Sequence, residues 1–223
     1  MKYPKLREIK EAIKALIKGP ATTKYPFEPH IPPESFRGRP DPSQEGCIGC
    51  GACVEVCPTG AIKLKDELKT ELTSQGSVEI VSGVRYLVWF YDECIFCAQC
   101  ARNCTTRNEK IPGVVMSKDF ELATTNRETL KSEEIKHELI LCSYCRSVIS
   151  TKSHFLYIIQ KLGHKSFGNI NLLQVINEKL NFPFKEKKFF QFYQRENLYE
   201  ILCPKCRRRI FLFDEYGYLL KSK

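Results

Sequence analysis

The stretch that decides the fold contains two copies of one cysteine pattern, Cys47-Ile-Gly-Cys50-Gly-Ala-Cys53-Val-Glu-Val-Cys57-Pro58 and Cys94-Ile-Phe-Cys97-Ala-Gln-Cys100-Ala-Arg-Asn-Cys104. In each copy the cysteines are separated by two, two and three residues. Three thiolates so close together can hold three corners of one 4Fe-4S cube, while the longer last gap directs the fourth thiolate to the other cube. The pattern therefore predicts an electron carrier with two 4Fe-4S clusters.

The exchange of the fourth cysteine defines two ligand sets, as in bacterial ferredoxins. We predict one cluster on Cys47, Cys50, Cys53 and Cys104, and the other on Cys94, Cys97, Cys100 and Cys57. Zinc in each run is the alternative, because isolated C-x2-C pairs more often bind zinc, but two complete runs in tandem favour clusters. Cys104 lacks the proline that follows Cys57, and Thr105-Thr106 stands there instead. The rigid turn that usually leads the chain away from the fourth ligand is therefore missing.

Length and composition indicate a soluble globular protein of one or two domains. The chain has 223 residues, of which 43% are apolar and 27% charged. The cysteine-bearing core spans about seventy residues, a size at which bound metal commonly supplies part of the stability. The N-terminus shows no signal peptide, and the longest apolar run, 86–91, is far shorter than the ~20 residues that span a bilayer. Clustered cysteines without an export signal indicate metal sites in a reducing cytoplasm.

The formal charge of +9 suggests nucleic acid, but it counts every cysteine as neutral. Three four-thiolate metal sites would each carry about −2, which lowers the total to about +3. A basic aromatic stretch at 185–193 and Arg207-Arg208-Arg209 leave single-stranded nucleic acid as an alternative, although such a stretch is more often a strand with one buried face. We expect no nucleic-acid partner.

The first 45 residues read as a helix and an arm. Residues 4–18 have helical apolar spacing with lysines on the other faces, ending at Gly19-Pro20, which predicts a basic amphipathic helix on a membrane surface or a partner. Packing on its own domain is the alternative. Residues 20–45 hold most of the prolines, which predicts an extended arm running over another subunit. A disordered linker is the alternative, and its aromatic residues argue against it.

Short strands are expected around the cysteine runs. Residues 61–64 read as one strand, and 78–81 and 84–91 read as a hairpin that turns at Ser82-Gly83. Residues 114–116 read as a return strand that pairs with 61–64, and 118–138 read as a linker to a second domain. Trp89 and its aromatic neighbours are expected in the core and around the clusters.

The remaining four cysteines form a second site. Cys142-x2-Cys145 lies between strand-like segments at 139–141 and 147–149, and Cys203-x2-Cys206 lies between strand-like segments at 199–202 and 210–213. Two such knuckles build a tetrahedral four-sulfur site that suits structural zinc. An iron site and an empty site are the alternatives. Two helices are expected between the pairs, at 154–162 and 170–180. His30, His137, His154 and His164 form no ligand or catalytic pattern, and the sequence shows no substrate-converting site.

Taken together, these motifs resemble a known family. The helix is followed by Thr23-Lys-Tyr-Pro-Phe-Glu-Pro29, Phe36-Arg-Gly-Arg-Pro40, the two cysteine runs and Phe120-Glu-Leu-Ala123. The combination resembles the two-cluster iron-sulfur subunit shared by respiratory complex I and the membrane-bound, energy-converting hydrogenases. The C-terminal C-x2-C pairs are most similar to the formate hydrogenlyase iron-sulfur subunit. Ala98 departs from the pattern, since glycine usually follows the second cysteine of a run.

The resemblance implies an α+β fold. A helix and docking arm at 1–45 would precede a bacterial-ferredoxin-like two-cluster domain at 46–117, the linker at 118–138, and a zinc-ribbon-like domain with a helical insert at 139–223. The implied function is electron transfer between an input module and a terminal NiFe or related site, as a peripheral subunit on the cytoplasmic face of the membrane. Its partners would be hydrophilic and membrane subunits. A sulfur- or quinone-reducing complex, a free polyferredoxin and a zinc-ribbon nucleic-acid-binding protein are the alternatives.

Overall fold

The computed structural model describes residues 5–19, 22, 24–72, 78–180 and 198–213. Its helices are α1 (Leu6–Lys18), α2 (Ala52–Glu55), α3 (Gln99–Arg102), α4 (Lys152–Leu162), α5 (Ile170–Lys179) and α6 (Pro204–Phe213). Its strands are β1 (Pro40–Pro42), β2 (Ile62–Leu72), β3 (Val78–Trp89), β4 (Val114–Met116), β5 (Ile135–Leu141) and β6 (Val148–Thr151). The chain divides into two compact units, Met1–Phe36 and Arg37–Lys223. The predicted mixture of helices and strands is confirmed.

The first unit contains α1, which matches the helix predicted at 4–18. Gly19 ends it with a left-handed φ of 74° while its N–H donates to Ala15 O at 2.9 Å, as expected of a glycine after a helix. None of the residues of α1 is buried, and Leu6, Leu16 and Ile17 each keep more than four-fifths of their surface exposed. The apolar stripe of this helix therefore has no cover within its own unit.

The end of the predicted arm is a strand of the second unit. β1 pairs antiparallel with β4, with Pro40 opposite Met116 and Pro42 opposite Val114. Because prolines donate no hydrogen bond, flanking residues supply the N–H groups: Ser117 donates to Arg39 O at 2.9 Å and Ser43 to Gly113 O at 3.0 Å. Two predictions need correction. Residues 40–42 lie on their own chain rather than on another subunit, and β4 pairs with β1 rather than with 61–64.

The strand predicted at 61–64 is the start of a long hairpin. β2 pairs antiparallel with β3 from Ile62 opposite Trp89 to Leu72 opposite Val78. The predicted turn at Ser82-Gly83 is wrong, because both residues lie inside β3. A Cβ on Gly83 would approach Leu68 Cδ2 to 2.8 Å and Leu139 Cδ1 to 3.0 Å. The glycine therefore allows close packing between strands and does not mark a turn.

The hairpin continues into the C-terminal half of the chain. β5 pairs with β3, and β6 pairs with β5, so the sheet order is β2-β3-β5-β6. β5 and β6 match the strands predicted on either side of the first C-terminal cysteine pair. The last residues of the predicted linker, 135–138, belong to β5. The two predicted domains, 46–117 and 139–223, therefore contribute strands to the same four-stranded sheet.

Three buried clusters hold the second unit together. The main one lies around the cysteine runs and includes Cys53, Ile62, Leu87, Trp89, Tyr91, Cys100, Val114 and Ile135. Trp89 is 1% exposed, as predicted for a core residue. A second cluster packs α4 and α5 through Ile140, Phe155, Leu172 and Val175, which confirms the two helices expected at 154–162 and 170–180. The third surrounds the C-terminal cysteines with Leu202 and Ile210.

The second C-terminal cysteine pair starts a helix. Cys203 precedes α6 and Cys206 lies in its first turn, so the strands predicted at 199–202 and 210–213 are wrong. Pro204 suits the first position of a helix, and the buried Cys203, Cys206 and Ile210 follow helical spacing. One knuckle thus belongs to a sheet and the other to a helix start, and the predicted zinc-ribbon arrangement is not confirmed.

Two further observations bear on the partners. The basic aromatic stretch predicted at 185–193 lies outside the described residues. Within the ranges that the structure describes, α1 and the other helices are all too short or too polar to cross a bilayer.

Candidate iron-sulfur centres and a four-cysteine metal site

The two cysteine runs share one backbone conformation. In each run the residues before and after the second cysteine adopt the left-handed region, with φ of 68° and 80° at Gly49 and Gly51 and of 52° and 63° at Phe96 and Ala98. A short helix, α2 or α3, then follows and carries the third cysteine. Two glycines make the first loop nearly free of strain, whereas Phe96 and Ala98 adopt a conformation that costs about 1 kcal/mol each. Both loops curve around a cavity in the same way.

Each loop also directs a backbone N–H toward a sulfur. Gly49 N donates to Cys47 Sγ at 3.4 Å, and Phe96 N donates to Cys94 Sγ at the same distance of 3.4 Å. Hydrogen bonds to sulfur stabilise negative charge on a thiolate. The first cysteine of each run is therefore prepared to serve as an anionic ligand.

The cysteines of the two predicted ligand sets meet around two cavities. One cavity is lined by Cys47, Cys50, Cys53 and Cys104. The other is lined by Cys57, Cys94, Cys97 and Cys100. In both cavities the fourth cysteine comes from the opposite run, as the exchange of ligands requires.

The sulfurs around these cavities lie farther apart than ligands of a single ion. In the described part of the chain, only the C-terminal cysteines bring three or more ligand atoms within 4.8 Å of one another. Four thiolates that surround a cube stand at its corners and need more room than four thiolates on one zinc ion. This spacing fits a cluster in each cavity and argues against zinc there.

Burial makes these thiols poor acids in the absence of a positive charge. Burial and, to a smaller extent, neighbouring thiolates together raise the pKa of Cys53 to about 12 and those of Cys47 and Cys100 to about 11. Cys57 is the exception: burial opposes ionisation, but hydrogen bonds from the Thr59 hydroxyl and N–H lower its pKa. A cationic group is therefore needed to hold these side chains as thiolates.

The residues after Cys104 take over the role of the missing proline. Thr106 is 3% exposed, and its hydroxyl donates to Gly46 O at 2.8 Å and accepts from Gly113 N at 2.9 Å. Thr105 Oγ1 lies 3.2 Å from Cys50 Sγ. These bonds join the Cys104 turn to the start of the first run. The sequence offered only the absence of proline as a signal here.

The C-terminal half contacts the first loop, which sequence reasoning missed. Thr151 Oγ1 donates to Ile48 O at 2.5 Å, and Arg85 Nη1 donates to Gly49 O at 3.0 Å. The ring of His137 packs so closely on Gly49 that a Cβ there would lie 2.7 Å from its Cδ2 atom. Thr151 and Ile48 are 103 residues apart, so no local pattern could have indicated the contact.

The four C-terminal cysteines, Cys142, Cys145, Cys203 and Cys206, form a compact site. Their sulfurs all lie within 4.8 Å of one another, and Cys145 Sγ is 3.7 Å from Cys203 Sγ. A tetrahedron with Zn–S bonds of about 2.3 Å has edges of about 3.8 Å. Arg146 takes the left-handed position of the first knuckle with a φ of 57°. The set has the size and the ligand type for one tetrahedral ion.

Hydrogen bonds prepare this site for negative charge. Cys203 N donates to Cys142 Sγ at 3.3 Å, and Cys206 N donates to Cys203 Sγ at 3.5 Å. Ser147 lowers the pKa of Cys145 to about 6, while burial and the neighbouring thiols raise that of Cys206. Because metal ligation requires thiolates, an ion that binds this site must release the protons that these thiols carry.

Arg207 and the histidines serve the fold. Arg207 donates to Asn171 Oδ1 at 2.6 Å and to Leu198 O at 2.8 Å, so it links α5 to the segment before Cys203. His137 and His154 hydrogen-bond to Ser153 and Ser150, and burial and the charge of Arg85 lower their pKa values. In the described ranges no histidine joins a group of three or more metal-ligating atoms.

Comparison with known proteins agrees with this geometry. Residues 46–108 match the family described as the 4Fe-4S dicluster domain. Formate hydrogenlyase subunit 6 of Escherichia coli (strain K12) is 46% identical over 59 residues, which are 26% of this chain and 33% of that protein. NAD(P)H-quinone oxidoreductase subunit I of Gloeobacter violaceus is 32% identical over 118 residues, or 52% of this chain and 50% of that protein. The chain thus spans a third to a half of these relatives.

A chain in the structure of the membrane-bound sulfane sulfur reductase, an archaeal respiratory membrane complex, is 27% identical over 58% of this chain and 61% of its own length. Its TM-score of 0.35 is too low to support a structural argument. The family match and the sequence relatives confirm the predicted resemblance to the iron-sulfur subunits of complex I and the membrane-bound hydrogenases. Residues 46–108 therefore match the 4Fe-4S dicluster domain, and parts of the chain are similar to formate hydrogenlyase subunit 6 and to subunit I of the quinone oxidoreductases.

Proposed function

We propose that this chain is the electron-transferring iron-sulfur subunit of a membrane-bound, multi-subunit oxidoreductase. One 4Fe-4S cluster would be held by Cys47, Cys50, Cys53 and Cys104, and the other by Cys94, Cys97, Cys100 and Cys57. The observation that carries the proposal is that each cavity is lined by three cysteines of one run and the fourth of the other. Clusters of this type supply reversible one-electron transfer when bound.

The side chains of this protein would hold, shield and connect the two centres. Trp89 and Leu87 are almost fully buried and line one cavity each, so they exclude water from the cysteines. Cys53 and Cys100, from different sets, lie close enough for the Cys100 charge to raise the pKa of Cys53. This proximity supports a short path between the centres.

Association with other subunits is proposed from the relatives and from α1. The two relatives named above are called subunits, and the apolar stripe of α1 has no cover within its own unit. We propose that α1 docks on a membrane-embedded partner or on the adjacent lipid surface, on the cytoplasmic face of the membrane. The terminal site would be a NiFe centre or a related sulfur- or quinone-reducing one on a neighbouring subunit.

For the C-terminal site we propose one structural Zn²⁺ on Cys142, Cys145, Cys203 and Cys206. The 3.7 Å separation of two of its sulfurs and the all-cysteine ligand set support this choice. Metal analysis of the anaerobically isolated chain should find about one zinc in addition to cluster iron. Iron in place of zinc would be recognised by its red colour and its high-spin ferric signal, and would replace the zinc assignment without affecting the cluster proposal.

Copurification of a tagged full-length chain under anaerobic conditions tests the proposed assembly. We expect hydrophilic and membrane subunits of one oxidoreductase to be recovered together with the brown chain. A brown monomer that stays soluble and alone in low and high salt would instead indicate a free polyferredoxin. Recovery of nucleic acid would favour the zinc-ribbon alternative.

A further inference from the structure

The two cluster loops have different surroundings although their own conformations match. Ile48, between the first two cysteines of the first run, is 9% exposed, whereas its counterpart Ile95 in the second run is 61% exposed. The difference comes from β3, β5 and β6, which bring Arg85, His137 and Thr151 onto the first loop. The C-terminal half therefore covers one cluster loop and not the other.

Thr151 acts on the peptide unit that points at a ligand sulfur. Its hydroxyl donates to Ile48 O at 2.5 Å, and the N–H of the same peptide, on Gly49, donates to Cys47 Sγ at 3.4 Å. A hydrogen bond to a carbonyl polarises the peptide and strengthens its N–H as a donor. The Thr151 hydroxyl, the 48–49 peptide and Cys47 thus form one chain of hydrogen bonds.

Arg85 directs the positive end of an ion pair toward the next peptide. Its Nη1 donates to Gly49 O at 3.0 Å, while its other nitrogens bind Asp66 through contacts of 2.7 and 2.8 Å. The Arg85 side chain is only 13% exposed, and paired arginine donors hold a rigid geometry. The guanidinium is therefore held in place beside the first loop.

The second loop lacks both contacts. Phe96 N donates to Cys94 Sγ as Gly49 does to Cys47, but the carbonyls of Ile95 and Phe96 accept no side-chain hydrogen bond within the described part of the chain. The two loops therefore have the same N–H···S hydrogen bond and differ in the side-chain hydrogen bonds that their carbonyl groups accept.

We propose that Thr151 and Arg85 are positioning residues that raise the reduction potential of the cluster at Cys47, Cys50, Cys53 and Cys104 above that of the other cluster. Reduction adds one negative charge, and donors and cations near the sulfurs stabilise the reduced state more than the oxidised one. The inference rests on the proposed function, because it requires both clusters. If so, an electron shared between the two clusters resides mainly on the cluster at the first loop.

An anaerobic redox titration followed by electron paramagnetic resonance tests this ordering. The Cys50→Ser and Cys97→Ser variants assign the signals, since each changes a ligand of one proposed cluster. Thr151→Val should lower the midpoint potential of the first cluster and leave the second unchanged, whereas Thr151→Ser, which keeps the hydroxyl, should behave as wild type. Arg85→Gln combined with Asp66→Asn, which removes the cation and its partner together, should lower the same potential.

One control separates tuning from loss of stability. Thr151 also caps α4 by accepting from His154 N, so Asn169→Ala, which removes the equivalent cap of α5, should lower the melting temperature without moving either potential. The inference fails if the assigned first cluster keeps its potential in Thr151→Val and in the Arg85 variant, or if both clusters shift equally. If Thr151→Val loses its clusters, the potential of the first cluster in the Arg85 variant decides whether the inference holds. A wild-type chain without about eight irons would contradict the proposed function instead.

Discussion

Thr106 illustrates how a single side chain replaces a rigid turn. At most such sites a proline leads the chain away from the fourth ligand, but here a buried hydroxyl satisfies both Gly46 O and Gly113 N. Gly113 leaves room for this arrangement, since a Cβ there would lie 3.0 Å from Thr106 Oγ1. The position of Cys104 thus depends on hydrogen bonds and not on a fixed φ.

Replacing Thr106 by valine should destabilise the fold by about 1–3 kcal/mol, because two buried backbone groups lose their partner. Denaturant unfolding under anaerobic conditions measures the loss. Thr106→Ser keeps the hydroxyl and should lose much less. Equal losses in the two variants would show that the methyl group and not the hydroxyl matters.

His137 should make stability depend on pH. Burial, followed by the charge of Arg85, lowers its pKa in the folded protein below the unfolded value. Its contribution is therefore present above about pH 6.5 and is lost as the pH falls through the lowered folded pKa. Between pH 7.5 and 5.5, wild type should lose more melting temperature than His137→Gln.

Any acid sensitivity of the clusters affects wild type and variants alike, so it cancels when their melting temperatures are compared. His164, which is exposed, provides the matched control, and His164→Gln should follow wild type. Parallel pH profiles for wild type and His137→Gln would contradict the account.

At the scale of elements, the apolar spacing of the sequence predicts the long helices correctly, whereas the predictions at Gly83 and at 210–213 are wrong. The helices α1, α4 and α5 follow from apolar spacing and from caps such as Asn169. The sequence predicts a turn at Ser82-Gly83, whereas Gly83 lies inside β3 and allows the close approach of Leu68 and Leu139. The apolar run at 210–213 predicts a strand, whereas these residues are the last turn of α6.

The apolar stripe of α1 should carry its docking. Replacing Ile9 and Ile13 by glutamine leaves the helical spacing intact and removes two apolar side chains, so the chain should be lost from the membrane fraction while its iron content stays unchanged. Ile9→Leu with Ile13→Leu is the matched control and should stay bound. Retention of the glutamine variant in the membrane fraction would assign the docking to another segment.

At the scale of the whole molecule, one sheet connects the four-cysteine site to the first cluster loop. β5 ends at Leu141, directly before Cys142, and β6 ends at Thr151, which binds Ile48. An ion at the C-terminal site would hold α6 against this end of the sheet. Metal binding at one site should therefore stabilise the other.

Replacing the buried Cys203 by serine should remove the C-terminal ion and lower the melting temperature of the whole second unit by several degrees, a shift that about 1–2 kcal/mol produces. Hydrogen exchange should become faster at residues 48–49 and stay unchanged at 95–96. Cys145→Ser, at the exposed ligand, should give a smaller effect. Faster exchange confined to 198–213 would show that the two sites are independent.

The grouping of the eight cysteines around two cavities could be predicted from the sequence, and the contacts that surround the first loop could not. Cysteine spacing is a local property, so both sets of four were within reach of sequence reasoning. The contacts of Arg85 and Thr151 join residues 36 and 103 positions apart. These contacts depend on the strand order β2-β3-β5-β6, which no local sequence pattern predicts.

Iron and acid-labile sulfide per chain, measured on anaerobically isolated protein, test most directly whether the chain binds two 4Fe-4S clusters. The account predicts a brown protein with about eight irons and about eight sulfides per chain. A colourless protein with far fewer irons, or with zinc in place of iron at the two cysteine runs, would contradict it.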